Sequence, residues 1–117
     1  MHALFFAYFL LLFSRFRLGV FYHREDGDLD FVFSLSKVLV EKFGEQKLIF
    51  LSGGDSKKGE GLFLLVGPAD KVDSIGPQAS KILGAKGGGK KGRYQAKGTG
   101  LTAAKLKEVE QLLQTAQ

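Results

Sequence analysis

The sequence predicts an α/β fold of the α+β type, a small sandwich in which helices pack on a mixed or mostly antiparallel sheet. Three observations carry that expectation. Lys47–Ser52 (KLIFLS) and Leu62–Gly67 (LFLLVG) are short continuous apolar runs of strand length. Phe31, Leu35, Val38, Leu39 and Lys42 fall on one face at helical period, and Leu106, Val109, Leu112 and Leu113 do the same near the C-terminus. A chain of 117 residues, 44% of them hydrophobic, suffices for one modest core.

Taken in order, Gly19–His23 (GVFYH) is short, β-branched and aromatic, and reads as a strand ending at the polar turn Arg24–Asp28. In the next stretch Leu29, Phe31, Phe33 and Leu35 also alternate as in a strand. Sixteen residues without a turn signal are long for a strand, however, so a helix is expected, with Asp28 or Asp30 as N-cap and Gly44 as stop. The two apolar runs flank GGDSKKGEG, which suits an antiparallel hairpin. Ala69–Ile75 supports a turn or two of helix. Pro77 disfavours helical geometry at Gly76 and opens a new helix to about Leu83, where Gly84 supplies a left-handed stop. A glycine-rich loop follows, and Thr102–Ala116 closes the chain as an amphipathic helix. The predicted order is β-α-β-β-α-loop-α.

Charge is distributed unevenly. Ser74 to Lys107 holds eight Lys and Arg and no acid, whereas residues 1 to 73 carry nine cations against ten acids. A one-sided basic segment points to a polyanionic partner. The sequence contains no cysteine, which excludes from these residues a disulfide framework, a thiolate zinc site and a cysteine nucleophile. His2 and His23 are too few to bind a catalytic zinc through three protein ligands, so neither metal nor cofactor is expected. Glu25, Asp26, Asp28 and Asp30 cluster where carboxylates cap a helix start, and His23 is expected in solvent at a strand end. No catalytic residue is assigned.

The segment GAKGGGKKGRYQAKGTG, residues 84 to 100, has seven glycines, five cations and no acid. Gly84, Gly89 and Lys90 satisfy G-x-x-x-x-G-K, but Lys91 stands where a hydroxyl must hold magnesium. Gly87, Gly89 and Gly92 spell G-x-G-x-x-G without the preceding strand that dinucleotide binding requires. A more general chemistry remains. Glycines let successive main-chain amides turn toward one anion, and Lys86, Lys90, Lys91, Arg93 and Lys97 surround that backbone with charge. Tyr94 offers either a flat face for an unpaired base or a packing ring, and Gln95 can bond a base edge or ribose hydroxyl. The expected nucleic-acid site is therefore Lys86, Gly87, Gly88, Gly89, Lys90, Lys91, Gly92, Arg93, Tyr94, Gln95 and Lys97.

Ala3–Phe13 is an unbroken run of eleven apolar residues, short of the roughly 20 that span a bilayer. Residues 1–18 are expected to form an apolar N-terminal extension and 19–117 the domain. As an alternative reading, residues 3–13 anchor the protein to a membrane while the basic segment meets anionic headgroups.

From Gly61 onward, GLFLLVGPADKVDSIGPQASKILGAKGGGKKGRYQAKGTG resembles the C-terminal DHH-associated domain of alanyl-tRNA synthetases and, more closely, of the stand-alone alanyl-tRNA editing proteins of AlaX type. HRED at 23 to 26 followed by a helix, then LIFLS, also falls where that domain has its first strand, helix and second strand. The resemblance covers roughly residues 19 to 104, and its most specific part is GGGKKGRYQAKGT, residues 87 to 99. It implies an RNA-binding module, for tRNA and in particular alanine tRNA, that is cytoplasmic and not catalytic by itself. It also implies a partner: a catalytic editing domain, upstream or in trans, that hydrolyses mischarged tRNA and carries zinc through H-x-x-x-H and C-x-x-x-H pairs. Neither pair stands in this sequence, so a further reading is a fragment of a Ser-tRNA(Ala) hydrolase.

Overall fold

The computed structural model describes residues 14–16, 19–43 and 47–115. They form a six-stranded mixed sheet with one helix on one face and two on the other. The strands are β1 (Ser14–Phe16), β2 (Gly19–Arg24), β3 (Leu48–Gly54), β4 (Gly61–Val66), β5 (Ala85–Lys90) and β6 (Arg93–Gly98). The helices are α1 (Leu29–Phe43), α2 (Ala69–Ile82) and α3 (Ala103–Thr115). Sheet order is β1-β2-β3-β4-β6-β5, and only the β2–β3 pair, joined through α1, is parallel. This is the expected α+β sandwich.

Alternation along the central strands builds two cores. Ile49 and Leu51 of β3, Leu64 of β4 and Val20 of β2 meet Val32, Leu35 and Leu39 of α1. The intervening residues Leu48, Phe50, Phe63 and Leu65 face the other way, against Val72, Ile75 and Ala79 of α2 and Leu106, Val109 and Leu113 of α3. Strands buried on both faces read as continuous apolar runs, which is why KLIFLS and LFLLVG show no alternation. On the two-helix face an aromatic row crosses four strands: Phe21 on Phe50 at 5.0 Å, Phe50 on Phe63 at 5.2 Å and Phe63 on Tyr94 at 5.9 Å between ring centroids.

The α1 boundary follows from one side chain. The amide of Phe31 donates to Asp28 Oδ1 at 2.9 Å, and the amide of Val32 donates to the Asp28 carbonyl at 3.0 Å, so of the two candidate caps it is Asp28 that caps the helix. Thr102 plays the same part for α3, accepting at its hydroxyl from Lys105 (3.4 Å) and at its carbonyl from Leu106 (2.9 Å). The expected stop at Gly44 and the apolar run 3–13 lie outside the described residues. Ser14–Phe16, which the sequence placed in the extension, pair antiparallel with Gly19–Phe21.

Two expectations are corrected. First, residues 69 to 82 form one helix rather than two, with Pro77 inside it. An interior proline costs about 3 kcal/mol, but Val72 and Ile75 are buried on the same helix at roughly 1.5–3 kcal/mol each, so burial wins. Second, the glycine-rich segment is not a loop. It is the β5–β6 hairpin, turning through Lys91 (φ 57°) and Gly92 (φ 81°), the positive pair that a two-residue hairpin turn requires. Gly92 also ties this turn to the molecule, its carbonyl accepting from the Gly67 amide at 3.0 Å.

Candidate nucleic-acid interface

The hairpin divides its residues between two faces. Arg93, Gln95 and Lys97 alternate along β6 with Tyr94 and Ala96, and the register pairs them with Lys90, Gly88 and Lys86 of β5. Since paired residues share a face, Arg93, Gln95 and Lys97 form a strip with Lys86 and the backbone of Gly88 on the side of the sheet that carries α1. The helix covers β2, β3 and β4 and leaves β5 and β6 bare, so the strip is open. A shallow concavity of about 310 Å³ lies along it, with Lys86, Gln95 and Lys97 as polar lining and Leu29 of α1 and Leu62 of β4 as apolar wall. Outside this concavity, at the turn end of the strip, the Arg93 guanidinium lies over the Phe33 ring of α1, 4.8 Å from the centroid. A cation seated on an aromatic face keeps its charge exposed while losing conformational freedom.

Tyr94 points the opposite way. Its ring stacks on Phe63, and its hydroxyl lies 2.9 Å from Ser80 Oγ of α2. Room for the ring comes from Gly76, where a Cβ would stand 2.6 Å from Tyr94 Cδ2. Of the two roles open to Tyr94, the structure gives it the packing one.

The glycines of β5 are also not what an anion cradle needs. In an extended strand successive amides point in opposite directions, so Gly87, Gly88 and Gly89 do not aim their N–H groups at one point. Two of them answer to the neighbouring strand instead. A Cβ on Gly87 would lie 2.0 Å from the Gln95 carbonyl oxygen, and one on Gly89 would lie 1.8 Å from that of Arg93. Gly88 meets nothing within 4 Å, leaving bare backbone in the middle of the strip. Because β5 ends the sheet, about half of its main-chain polar groups face an unpaired edge.

Lys91 sits at the turn and opens onto a second concavity, of about 490 Å³, between the hairpin turn and α1. Ser36, Lys37, Val40 and Glu41 line it from the helix, and Val66, Gly67, Gly92 and Arg93 from the sheet. The eleven residues singled out by sequence thus separate: Lys86, Gly88, Arg93, Gln95 and Lys97 gather on the open strip, Lys90 pairs with Arg93 by register, Lys91 and Gly92 form the turn, Gly87 and Gly89 serve strand packing, and Tyr94, half-buried, packs against the core.

A polar chain that sequence reasoning missed lies at the other end of the sheet. His23 is only 12% exposed, not in solvent. Glu25 as a carboxylate can only accept, so His23 Nε2 donates to Glu25 Oε2 at 2.8 Å, and Nδ1 of the neutral ring then accepts from the Ser52 hydroxyl at 2.8 Å. Glu25 Oε1 in turn accepts from the Ser56 hydroxyl (2.8 Å) and amide (3.1 Å). Ser56, then His23, hold the Glu25 carboxyl below its usual range. Ser52 is fully buried, which keeps its hydroxyl from any substrate, so this chain ties β2 to the β3–β4 loop. Among the described residues no group of acids or histidines is placed to hold a metal ion, and no helix is long and apolar enough to cross a membrane. The ordered pair Ser52–His23 was legible only through the β2–β3 register, which sets the two side by side.

Comparison with known proteins places these features in a lineage. No family model matches the chain. The chain is 46% identical over 92 residues to the alanyl-tRNA editing protein Aarsd1 of Bos taurus, 43% over 93 residues to that of Mus musculus and 45% over 92 residues to that of Danio rerio. These matches take in 78–79% of the chain but only 19–21% of the relatives, so the chain spans about a fifth of their length. Among solved structures, the C-Ala domain of Aquifex aeolicus alanyl-tRNA synthetase superposes with a TM-score of 0.66, covering 89% of this chain and 96% of that domain at 14% identity. By sequence the chain is a homologue of one segment of the alanyl-tRNA editing proteins of Aarsd1 type, and it carries the fold of the C-Ala domain.

Proposed function

We propose that the chain is a tRNA-binding module, alanine tRNA being the favoured species, and that the open β6–β5 strip is the surface that grips it. The observation that carries this reading is the gathering of Lys86, Arg93 and Lys97 with Gln95 on the α1 side of the β5–β6 hairpin, where the side chains of β6 stand exposed beside the helix. Similarity to alanyl-tRNA editing proteins supports the choice of RNA. The strip supplies backbone neutralisation through its cations and a hydrogen-bonding side chain in Gln95, and its Gly88 lets a ribose or phosphate approach the main chain. The editing chemistry itself belongs to a separate catalytic domain, joined in the same polypeptide or acting in trans, and the module works in the cytoplasm.

Filter binding of an alanine tRNA transcript across a salt series tests the proposal. Three phosphate contacts give a slope of log affinity against log salt of about −2 to −3. Lys86→Ala, Arg93→Ala and Lys97→Ala should each weaken binding and shrink the slope by about 1. A slope unchanged in the triple variant refutes the assignment of the surface.

A further inference from the structure

We propose that the concavity between α1 and the hairpin turn binds a single nucleotide whose base carries an exocyclic amino group. The argument starts from the distribution of charge in a space of about 490 Å³, a volume typical of small-ligand sites. The wall formed by the turn and the start of β6 is cationic, through Lys91 and Arg93, with Lys37 opposite. Arg93 is held at that wall by Phe33. The helix wall also carries Glu41, one turn along from Lys37. Despite the cations lining the same space, Glu41 enters no ion pair or hydrogen bond among the described residues. A pocket built only for phosphate would be weakened by that carboxylate. Val40 and Val66 supply an apolar patch, and Ser36, whose hydroxyl donates to the Phe33 carbonyl at 2.7 Å, offers its oxygen only as an acceptor.

The site therefore asks for a ligand with an anion at one end, a flat apolar middle and N–H donors at the other. A nucleotide of cytosine fits: phosphate toward Lys91 and Arg93, ring against the valines, and N4 amino group donating to Glu41. A carboxylate accepting from cytosine N4 is an established pairing chemistry. Uracil places a carbonyl oxygen there and meets repulsion. The same chemistry can come from a free nucleotide or from the terminal nucleotide of an RNA.

The test is a titration of the ¹⁵N-labelled chain with cytidine and uridine 5′-monophosphate at low salt, followed by amide shifts. Saturable shifts at Gly67, Lys91 and Gly92 are expected, with cytidine monophosphate bound at least about fivefold more tightly than uridine monophosphate. In Glu41→Gln the side-chain amide serves either base, so the preference should collapse while both nucleotides still bind. Equal affinities in the unaltered chain, no saturable shift, or a preference that survives Glu41→Gln would overturn the proposal. Hexauridylate with and without a 5′-terminal cytidylate separates the sources: a gain from the added residue assigns the site to RNA ends, and no gain assigns it to free nucleotide. Lys86 and Lys97 lie outside this concavity, so failure of the tRNA reading at those lysines leaves the nucleotide result standing, and the reverse also holds.

Discussion

At the scale of single residues, steric room separates glycines that composition cannot tell apart. Gly88 faces open space and Gly89 faces the Arg93 carbonyl at a distance no Cβ tolerates. Gly88→Ala should change stability by less than about 0.5 kcal/mol, while Gly89→Ala, one position on, should cost about 1–3 kcal/mol as β5 is pushed from β6. Urea unfolding of the two variants side by side checks this, and equal effects would refute the packing account. Tyr94 gives a second contrast. Removing its hydroxyl in Tyr94→Phe deletes the bond to Ser80 and should cost about 1 kcal/mol with tRNA affinity untouched. The carboxyl of Glu25 gives a third. Its folded-state pKa is depressed, so its contribution is present above the unfolded value of 4.5 and is lost as pH falls through the folded one. Thermal unfolding between about pH 3 and pH 6 should therefore show a shallower acid limb in Glu25→Gln.

Among the elements, those whose residues answer to the core were readable from the chain alone. The runs of β3 and β4 need apolar side chains on both faces, and α1 needs Asp28 at its start; both needs are local and leave local signatures. Asp28→Ala should cost about 0.5–2 kcal/mol, most of it lost from the first turn of α1, where amide exchange of Phe31 should quicken. The β5–β6 hairpin left no such signature. Its strand glycines are selected by the carbonyls of a neighbouring strand, and its turn is announced only by Lys91–Gly92, a pair without the usual Asn or Asp. The continuity of α2 was hidden for a related reason: Pro77 argues locally for a break, and the burial of Val72, Ile75 and Ala79 that overrides it is tertiary. The candidate strip was half legible. Its cations could be counted, but their common face depends on a register that places Lys86 beside Lys97 and turns Tyr94 away.

At the scale of the whole molecule, α1 sets the proposed tRNA surface by what it leaves uncovered. One helix covers β2 to β4 on its side of the sheet while α2 and α3 fill the other, so the basic hairpin is left open on the α1 face. Net charge alone would let any lysine pair serve, and Lys105 and Lys107 on α3 provide a control of equal charge on the opposite side of the sheet. The decisive measurement is tRNA affinity at fixed, near-physiological salt for two charge reversals, Lys86→Glu with Lys97→Glu against Lys105→Glu with Lys107→Glu. The strip predicts a loss of at least about tenfold for the first pair and less than about threefold for the second; equal losses, or a greater loss at α3, would contradict it.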